Sequence, residues 1–249
     1  MNITVWNEHI QELLPEVLAV YPLGISGTVA AFLRGLPDAD VRVATLDQPD
    51  CGLPDAVLDA TDVLVWWGHL AHDKVPDALA AKVRDRVLSG MGLIVLHSGH
   101  YAKPFKLLMG TTCSLRWREG DAARVWCVNP GHPIAAGVPA WFDLPQEEMY
   151  GEFFDIPAPD ELVFASWYAG GELFRSGCCW NRGAGKVFYF QPGHETNPSY
   201  HDKNVQQILK NAVNWARPVS RRTTLDCFHN VETLNQLVAE GRGGEVGQY

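Results

Sequence analysis

The segment Gly92–Leu96 (Gly-Leu-Ile-Val-Leu) is a short run of aliphatic residues that ends abruptly at the polar turn His97-Ser98-Gly99-His100. A continuous apolar run of this length is typical of a strand that is buried on both faces of a parallel sheet. In open α/β sheets, ligands bind just outside the carboxyl ends of such strands. The two histidines and the serine therefore mark a candidate active site at one edge of a predicted sheet.

Strand and helix patterns alternate through the first half of the chain, which predicts right-handed crossovers and a parallel sheet. Besides Gly92–Leu96, the predicted strands are Ile3–Trp6, Val41–Leu46 and Val63–Trp67. The predicted helices cover 10–20 (interrupted by Pro15), 25–36 (capped by Ser26) and 73–89 (capped by Asp73). We expect an α/β fold, a flavodoxin-like three-layer sandwich with a mainly parallel central sheet. In that strand order Glu8, His69 and His97 emerge at neighbouring strand ends.

The pattern changes after a short helix at 105–110, where strand-like segments are separated by Pro/Gly turns. We predict that residues 110–182 are a β-rich, partly antiparallel insertion before a last core strand, Val187–Phe190. That strand also ends in a polar turn, Gly193-His194-Glu195, and Asn204–Ala216 is a predicted closing helix. One domain over 1–217 and an arm or tail over 218–249 follow from this organisation.

Composition limits the possible partners of the chain. The net charge of −9 argues against a nucleic-acid or anionic-membrane surface. No apolar run approaches the roughly 20 residues of a membrane span, and no basic and apolar leader precedes the first strand. The six cysteines have no CxxC spacing, which favours reduced thiols in a cytoplasmic protein. We also expect self-association through apolar residues of the added strands and the tail.

Two buried strands end in histidine beside glycine, at His97 and at His194. A single histidine of this kind is more often a cap of a sheet end, but two of them, with His69 and His100, favour a functional site. A carboxylate-rich segment, 147–152, is a candidate for metal ligation or acid–base work, with Tyr150 as a second proton donor. If this segment is extended, Glu148 and Glu152 share the inward face. Glu147 by itself is better explained as a solvated side chain.

Three further features bear on the kind of ligand. Trp66 and Trp67, in a chain with nine tryptophans, are either core residues or a stacking surface for a sugar. Arg175 either binds an anionic or hydroxyl-rich ligand or pairs with a nearby carboxylate. No Gly-x-Gly-x-x-Gly or Walker-type loop is present, which argues against a nucleotide cofactor. A zinc site would have to combine histidine and carboxylate ligands from separate strand ends.

Together, these motifs resemble the trehalose utilisation (ThuA-like) family of the class I glutamine amidotransferase-like superfamily, over residues 1–217. The resemblance rests on 92–98, Gly131-His132-Pro133-Ile134, Glu147-Glu148-Met149-Tyr150, 185–194 and 211–216. It implies a flavodoxin-like core. Amidotransferases of this class carry a cysteine nucleophile after the central strand, and the position of this chain that resembles theirs holds His97 instead. The resemblance therefore implies the scaffold without glutamine hydrolysis.

The family resemblance implies disaccharide breakdown, beside an oxidoreductase that makes 3-keto sugars. A ketone acidifies neighbouring C–H bonds, so a base and a Lewis acid would enolise a keto-glycoside and then isomerise it or expel the aglycone. His97, His194 and Glu148 are the expected ligands of one divalent metal, most simply zinc, or the acid–base groups. The expected catalytic set adds Tyr150, Glu8 and Glu195. The expected sugar-binding residues are Trp67, His69, Ser98, His100, Glu152 and Arg175.

Two rival hypotheses remain open at this point. The first is a hydrolase that uses Ser98 as its nucleophile, although the surrounding sequence is not the Gly-x-Ser-x-Gly of a nucleophile elbow. The second is a non-catalytic sugar-binding or regulatory protein that has kept an enzyme scaffold.

Overall fold

The computed structural model describes residues 1–225, 236 and 239–241. The strands in these residues are β1 (Asn2–Asn7), β2 (Asp40–Thr45), β3 (Val63–Trp67), β4 (Gly92–Leu96), β5 (Arg116–Cys127), β6 (Trp141–Gly151), β7 (Glu161–Tyr168), β8 (Leu173–Arg182) and β9 (Gly185–Phe190). The α-helices are α1 (Pro15–Val20), α2 (Gly24–Leu33), α3 (Asp55–Ala60), α4 (Asp77–Leu88), α5 (Lys103–Met109) and α6 (Lys203–Ala216).

The nine described strands form one mixed sheet in the order β2-β1-β3-β4-β9-β8-β7-β5-β6. The first five strands of that order are parallel and have the predicted flavodoxin-like arrangement. Every residue of β3 and β4 is buried, as continuous apolar strands require when both faces are covered. Glu8, His69 and His97 therefore follow the carboxyl ends of three neighbouring strands. The α/β fold class is confirmed.

The expectation of a mainly parallel sheet holds for only half of the structure. The strands of the 110–182 segment pair antiparallel with one another, and β8 pairs antiparallel with β9. The insertion thus continues the central sheet rather than packing beside it. The reason is that β9 has β4 on one side only, so its other edge offers unpaired backbone groups to β8.

The β5–β6 ladder is interrupted twice. Its register shifts between Arg118 and Asp121 and again between Asp121 and Ala123. Such bulges bend a strand and increase its local twist. One section of the hairpin, at 123–126 with 141–144, continues the sheet, and the other, at 116–118 with 149–151, reaches the carboxyl ends of the parallel strands.

Two predicted helix caps are wrong. Helix α2 begins at Gly24, and Ser26 lies inside it, where its N–H and hydroxyl donate to the buried carboxylate of Glu12. Helix α4 begins at Asp77 after Pro76, because Asp73 belongs to a separate 3-10 turn, His72–Lys74. The predicted interruption at Pro15 is confirmed, since Pro15 is the first residue of α1.

By length and composition alone, the segment Pro15–Leu33 could cross a membrane, since it has 19 residues and a mean hydropathy of 1.6. Core helices satisfy the same criterion, so this is weak evidence for a span. The segment is divided into α1 and α2 by a turn at 21–23, and 44% of its apolar window is buried inside the protein. Its composition is explained by packing, because Val17, Ile25 and Val29 belong to the core.

The chain stays attached to the domain beyond the predicted boundary at 217. Arg221 donates to the backbone oxygen of Thr61 and to the Asp62 carboxylate, and the backbone N–H of Arg222 donates to Ser89 O. Residues 221–222 therefore belong to the packed unit. Within the predicted tail, 226–235, 237–238 and 242–249 lie outside the described residues.

Asp202 caps α6, the helix that covers β4 and β9. Its carboxylate accepts hydrogen bonds from the N–H groups of Asn204 and Val205, at 2.8 and 3.1 Å. We expect Asp202→Ala to lower the free energy of unfolding by about 1 kcal/mol, because two N–H groups of the first turn lose their partner. Urea denaturation measures this change. Asp40→Ala, at an exposed position, is the control, and equal effects of the two variants would contradict the capping role.

Candidate functional site

His97 stands at a sharp turn directly after β4. Its φ of 51° is in the left-handed region, which non-glycine residues adopt rarely. A 3-10 turn, His97–Tyr101, follows at once. A Cβ on Gly99 would lie 3.2 Å from Trp66 O, so this glycine lets the turn pack against β3. The turn is built like a nucleophile elbow, with an imidazole at its apex.

The imidazole of His97 is fully buried and has an oxygen atom near each of its ring nitrogens. Its Nδ1 lies 2.9 Å from Gln191 O and its Nε2 lies 3.0 Å from Glu148 Oε2. A carbonyl oxygen can only accept, so Nδ1 carries a proton. Burial lowers the pKa of His97, but the hydrogen bond and charge of Glu148 outweigh it and the pKa is raised. Burial raises the pKa of Glu148, and His97 more than reverses this, so Glu148 is a carboxylate.

Tyr150 completes this buried group. Its ring stacks on His97 with centroids 5.1 Å apart, and its hydroxyl lies 3.4 Å from His97 Nε2. Burial raises the pKa of Tyr150 well above 10.0, and the neighbouring Glu148 carboxylate raises it further. Tyr150 is therefore a neutral proton donor beside a carboxylate.

Ser98 is held between His69 and the backbone. Its Oγ lies 2.7 Å from His69 Nδ1 and 3.0 Å from Gly68 O. Both contacts are satisfied when Ser98 donates its only proton to Gly68 O and accepts from His69 Nδ1–H. His69 then presents the lone pair of Nε2. Burial lowers the pKa of His69, which keeps this imidazole neutral.

His194 has the opposite tautomer. Its Nδ1 accepts from the N–H of Thr196 at 3.3 Å, so a neutral His194 carries its proton on Nε2. That Nε2 lies 3.6 Å from Glu195 Oε2. The other oxygen of Glu195 accepts from Gln11 Nε2 at 2.9 Å, whereas Oε2 is buried and has no hydrogen-bond partner among the described residues.

Three groups could converge on a cation. Candidate ligand atoms of His69, His97 and Glu195 lie within 4.8 Å of one another, in a search restricted to the described residues. Each histidine directs its Nδ1 to an oxygen, as metal-bound histidines commonly do. The unpartnered Oε2 of Glu195 fits the same role. The set differs from the expected His97, His194 and Glu148, since Glu148 contacts His97 directly and His194 carries its proton on Nε2.

A cavity of about 520 Å³ opens in front of this group. The histidines and carboxylates that line it come from several strand ends and from the β5–β6 hairpin. Among the described residues that line it, none is a lysine or an arginine. The lining residues are His69, His72, Ser98, His100, Tyr101, Ser114, Leu115, Trp117, Glu119, Glu148, Tyr150, His194, Glu195 and Thr196. His97 lies behind them.

His100 and His72 are neutral walls of the cavity. His100 directs Nδ1 to Cys113 O at 2.6 Å, and burial lowers its pKa to about 3. Burial also lowers the pKa of His72 to about 4. Neither imidazole is charged near neutral pH.

Besides His97, four predicted site residues do not line the cavity. Glu8 accepts from the N–H groups of Leu70 and Ala71, each at 2.8 Å, and so shapes the loop that carries His69. Trp67 is a core residue that donates its indole N–H to Gly193 O. Glu152 and Arg175 pair with each other at 2.8 Å outside the cavity, which is the second of the two interpretations of Arg175.

The interpretation of Glu147 as a solvated side chain is wrong. Glu147 is 1% exposed. Its carboxylate accepts from Gly193 N–H at 3.1 Å and from the Ser199 hydroxyl at 2.6 Å. It therefore fixes the turn that carries His194. In the sequence, the only hint of a buried role for Glu147 is its position next to Glu148. The alternation of side chains along a strand places these two residues on opposite faces, but in the structure both side chains are buried.

Comparison with known proteins identifies a family and similar folds. A family model described as ThuA, trehalose utilisation, matches residues 9–216. A ThuA-like protein from Bacteroides uniformis superposes with a TM-score of 0.60 at 15% identity, over 86% of this chain and 90% of its own. A cytoplasmic protein from Salmonella typhimurium gives 0.58 at 13% identity, over 87% and 100%. No curated protein matches the chain.

Glu147→Gln tests the support of the His194 turn. We expect a loss of about 1–3 kcal/mol in the free energy of unfolding, because an amide NH₂ would replace one acceptor facing buried donors. Urea denaturation monitored by circular dichroism measures it. Glu16→Gln, at an exposed position, is the matched control. A Glu147→Gln protein as stable as this control would contradict the assignment.

Proposed function

The chain belongs to the trehalose utilisation (ThuA) family, and from this we propose that it has the scaffold of the class I glutamine amidotransferase-like superfamily and is an enzyme acting on an uncharged keto-glycoside. The family concerns carbohydrate metabolism. The observation that carries the proposed chemistry is the buried His97–Glu148 pair with Tyr150 beside it, at the base of a cavity whose described lining lacks basic residues. Without lysine or arginine to bind a phosphate, the cavity favours a neutral sugar.

Glutamine hydrolysis is not the proposed activity. The apex of the elbow carries His97, and no cysteine is among the described residues that line the cavity. A thiolate nucleophile is required for thioester formation with glutamine. The elbow instead holds an imidazole that orients Glu148 and compensates its charge.

Glu148 is the proposed general base. A ketone at C3 of a glycoside acidifies the hydrogen at C2, and Glu148 accepts that proton. The electron pair then either forms the enediol, which is reprotonated at another carbon, or forms the C1–C2 double bond as the C1–O bond to the aglycone breaks. His97 is a positioning residue here, since it lies behind Glu148 and its positive charge stabilises the carboxylate.

Tyr150 and His194 are the proposed proton donors. Tyr150 is neutral because its pKa is raised by burial, so its hydroxyl stabilises negative charge that develops on the ketone oxygen. His194 Nε2–H donates to the aglycone oxygen as the bond to C1 breaks. Both groups line the same cavity as Glu148.

We also propose that the site accepts one divalent cation, zinc in the first instance, on His69, His97 and Glu195. A bound cation would supply Lewis-acid polarisation of the ketone. His97 Nε2 carries a proton when it pairs with the Glu148 carboxylate and must lose that proton to bind the cation, so it serves one partner at a time. The free Oε2 of Glu195 supports this ligand set.

Ser98 is not the proposed nucleophile. Its proton is directed to Gly68 O and its oxygen accepts from His69, so His69 is not placed as its base. A non-catalytic sugar-binding protein would need neither a buried charged pair nor proton donors around it.

Cytoplasmic location and self-association are part of the proposal. The five described cysteines are unpaired, as expected in a reducing compartment. Exposed tryptophans of the antiparallel strands, such as Trp141 and Trp167, support a contact between copies.

Turnover tests the role of Glu148. We expect the purified protein to convert 3-keto-trehalose to a product visible by NMR, and Glu148→Gln to lower kcat about 100-fold or more. Glu152→Gln, the same substitution four residues along the chain and outside the cavity, should leave kcat within about twofold. A Glu148→Gln enzyme with normal kcat would exclude Glu148 as the base, and normal sugar binding without any product would favour a binding protein.

Metal content tests the cation site separately. We expect about one equivalent of zinc by elemental analysis after purification with zinc, and a loss of most of it in His69→Ala and in Glu195→Gln, since each removes one ligand. His72→Ala is the control, because His72 lines the cavity but lies outside the ligand group. Equal zinc in all four proteins would contradict the ligand set.

A further inference from the structure

Trp117 is an exposed aromatic residue at the rim of the cavity. It belongs to the bent section of β5 and is paired with Tyr150 of β6. Directly paired residues of antiparallel strands point to the same face and lie about 5 Å apart at their Cβ atoms. The Tyr150 ring stacks on His97, so Trp117 is on the same face of the hairpin as the ring that covers the buried pair.

The exposure of Trp117 is unlike that of the tryptophans in the core. Its side chain is 61% exposed, whereas Trp6, Trp66, Trp67 and Trp180 are at most 1% exposed. Among the described residues, no aromatic ring or cation stacks on it. By contrast, Tyr101, the other exposed ring of the rim, carries the ammonium of Lys106 at 2.9 Å from its centroid. Trp117 is thus an aromatic surface that has no partner within the described chain.

The chemistry around Trp117 favours a sugar ring as its ligand. Sugars have an apolar face that packs on aromatic rings and hydroxyl groups that bond to carboxylates at the edge. Glu119, two residues along the same strand, lines the cavity beside Trp117. The absence of lysine and arginine from the described cavity lining disfavours an anionic ligand here.

We propose that Trp117 is the platform of an outer subsite, which holds the second ring of an uncharged disaccharide whose first ring lies against Glu148 and Tyr150. This inference rests on the carbohydrate function proposed above and adds to it a requirement for two rings. Trp117 determines specificity by binding the ring that does not react, so it acts on affinity rather than on proton transfer.

Isothermal titration calorimetry with two-ring and one-ring ligands tests the subsite. The ligands are trehalose and methyl α-glucoside, each also as its 3-keto form, and the proteins are the wild type, Trp117→Ala, Trp117→Phe and Trp126→Ala. Trp126 is the matched control, because it is an exposed tryptophan of the same strand that does not line the cavity.

We expect Trp117→Ala to weaken binding of the two-ring ligands about tenfold, and of the one-ring ligands less than about twofold. Trp117→Phe should restore most of the affinity, and Trp126→Ala should bind like the wild type. Equal weakening for both ligand sizes, or no weakening, would overturn the outer subsite while leaving the carbohydrate function in place. If no sugar binds to the wild type, the proposed function fails and the subsite fails with it.

Discussion

The buried contact between His97 Nε2 and Glu148 Oε2 links the parallel and antiparallel halves of the sheet at the site. His97 follows β4 of the parallel half, and Glu148 belongs to β6 at the far edge of the antiparallel half. Either charge alone would be costly to bury. Together they hold the hairpin against the strand ends, and the neighbouring Glu147 strengthens this attachment by accepting hydrogen bonds from the turn after β9.

The histidines near this contact differ through their backbone partners. Nδ1 of His97 faces a carbonyl oxygen and must carry a proton, whereas Nδ1 of His194 faces an N–H group and must accept one. His97 Nε2 faces the Glu148 carboxylate and therefore carries a proton as well, which makes His97 a cation, whereas His194 in its neutral form has a proton on Nε2 alone. The groups around each ring thus give two histidines of one site different roles, one as the counter-charge of the base and one as a proton donor.

Much of the parallel half could be predicted from the sequence, because its strands are continuous apolar runs and their carboxyl ends are marked by His69, His97 and His194. The antiparallel half could be predicted only as a β-rich insertion. Its register depends on the bulges at 118–123 and on pairing between distant segments, which no local pattern reports. For this reason local patterns assign Glu147 to solvent and carry no signal for the exposed Trp117.

The stretch 110–182 enters the sheet as one uninterrupted excursion between α5 and β9. It contributes Trp117, Glu119, Glu148 and Tyr150 to the cavity wall, while the imidazoles stand on the parallel scaffold. Selection can therefore change which substrate is accepted by altering the open end of one hairpin, where β5 begins and β6 ends. The hydrogen-bonded strand ends that hold the imidazoles need not move, so new substrate preferences can arise without rebuilding the reactive centre.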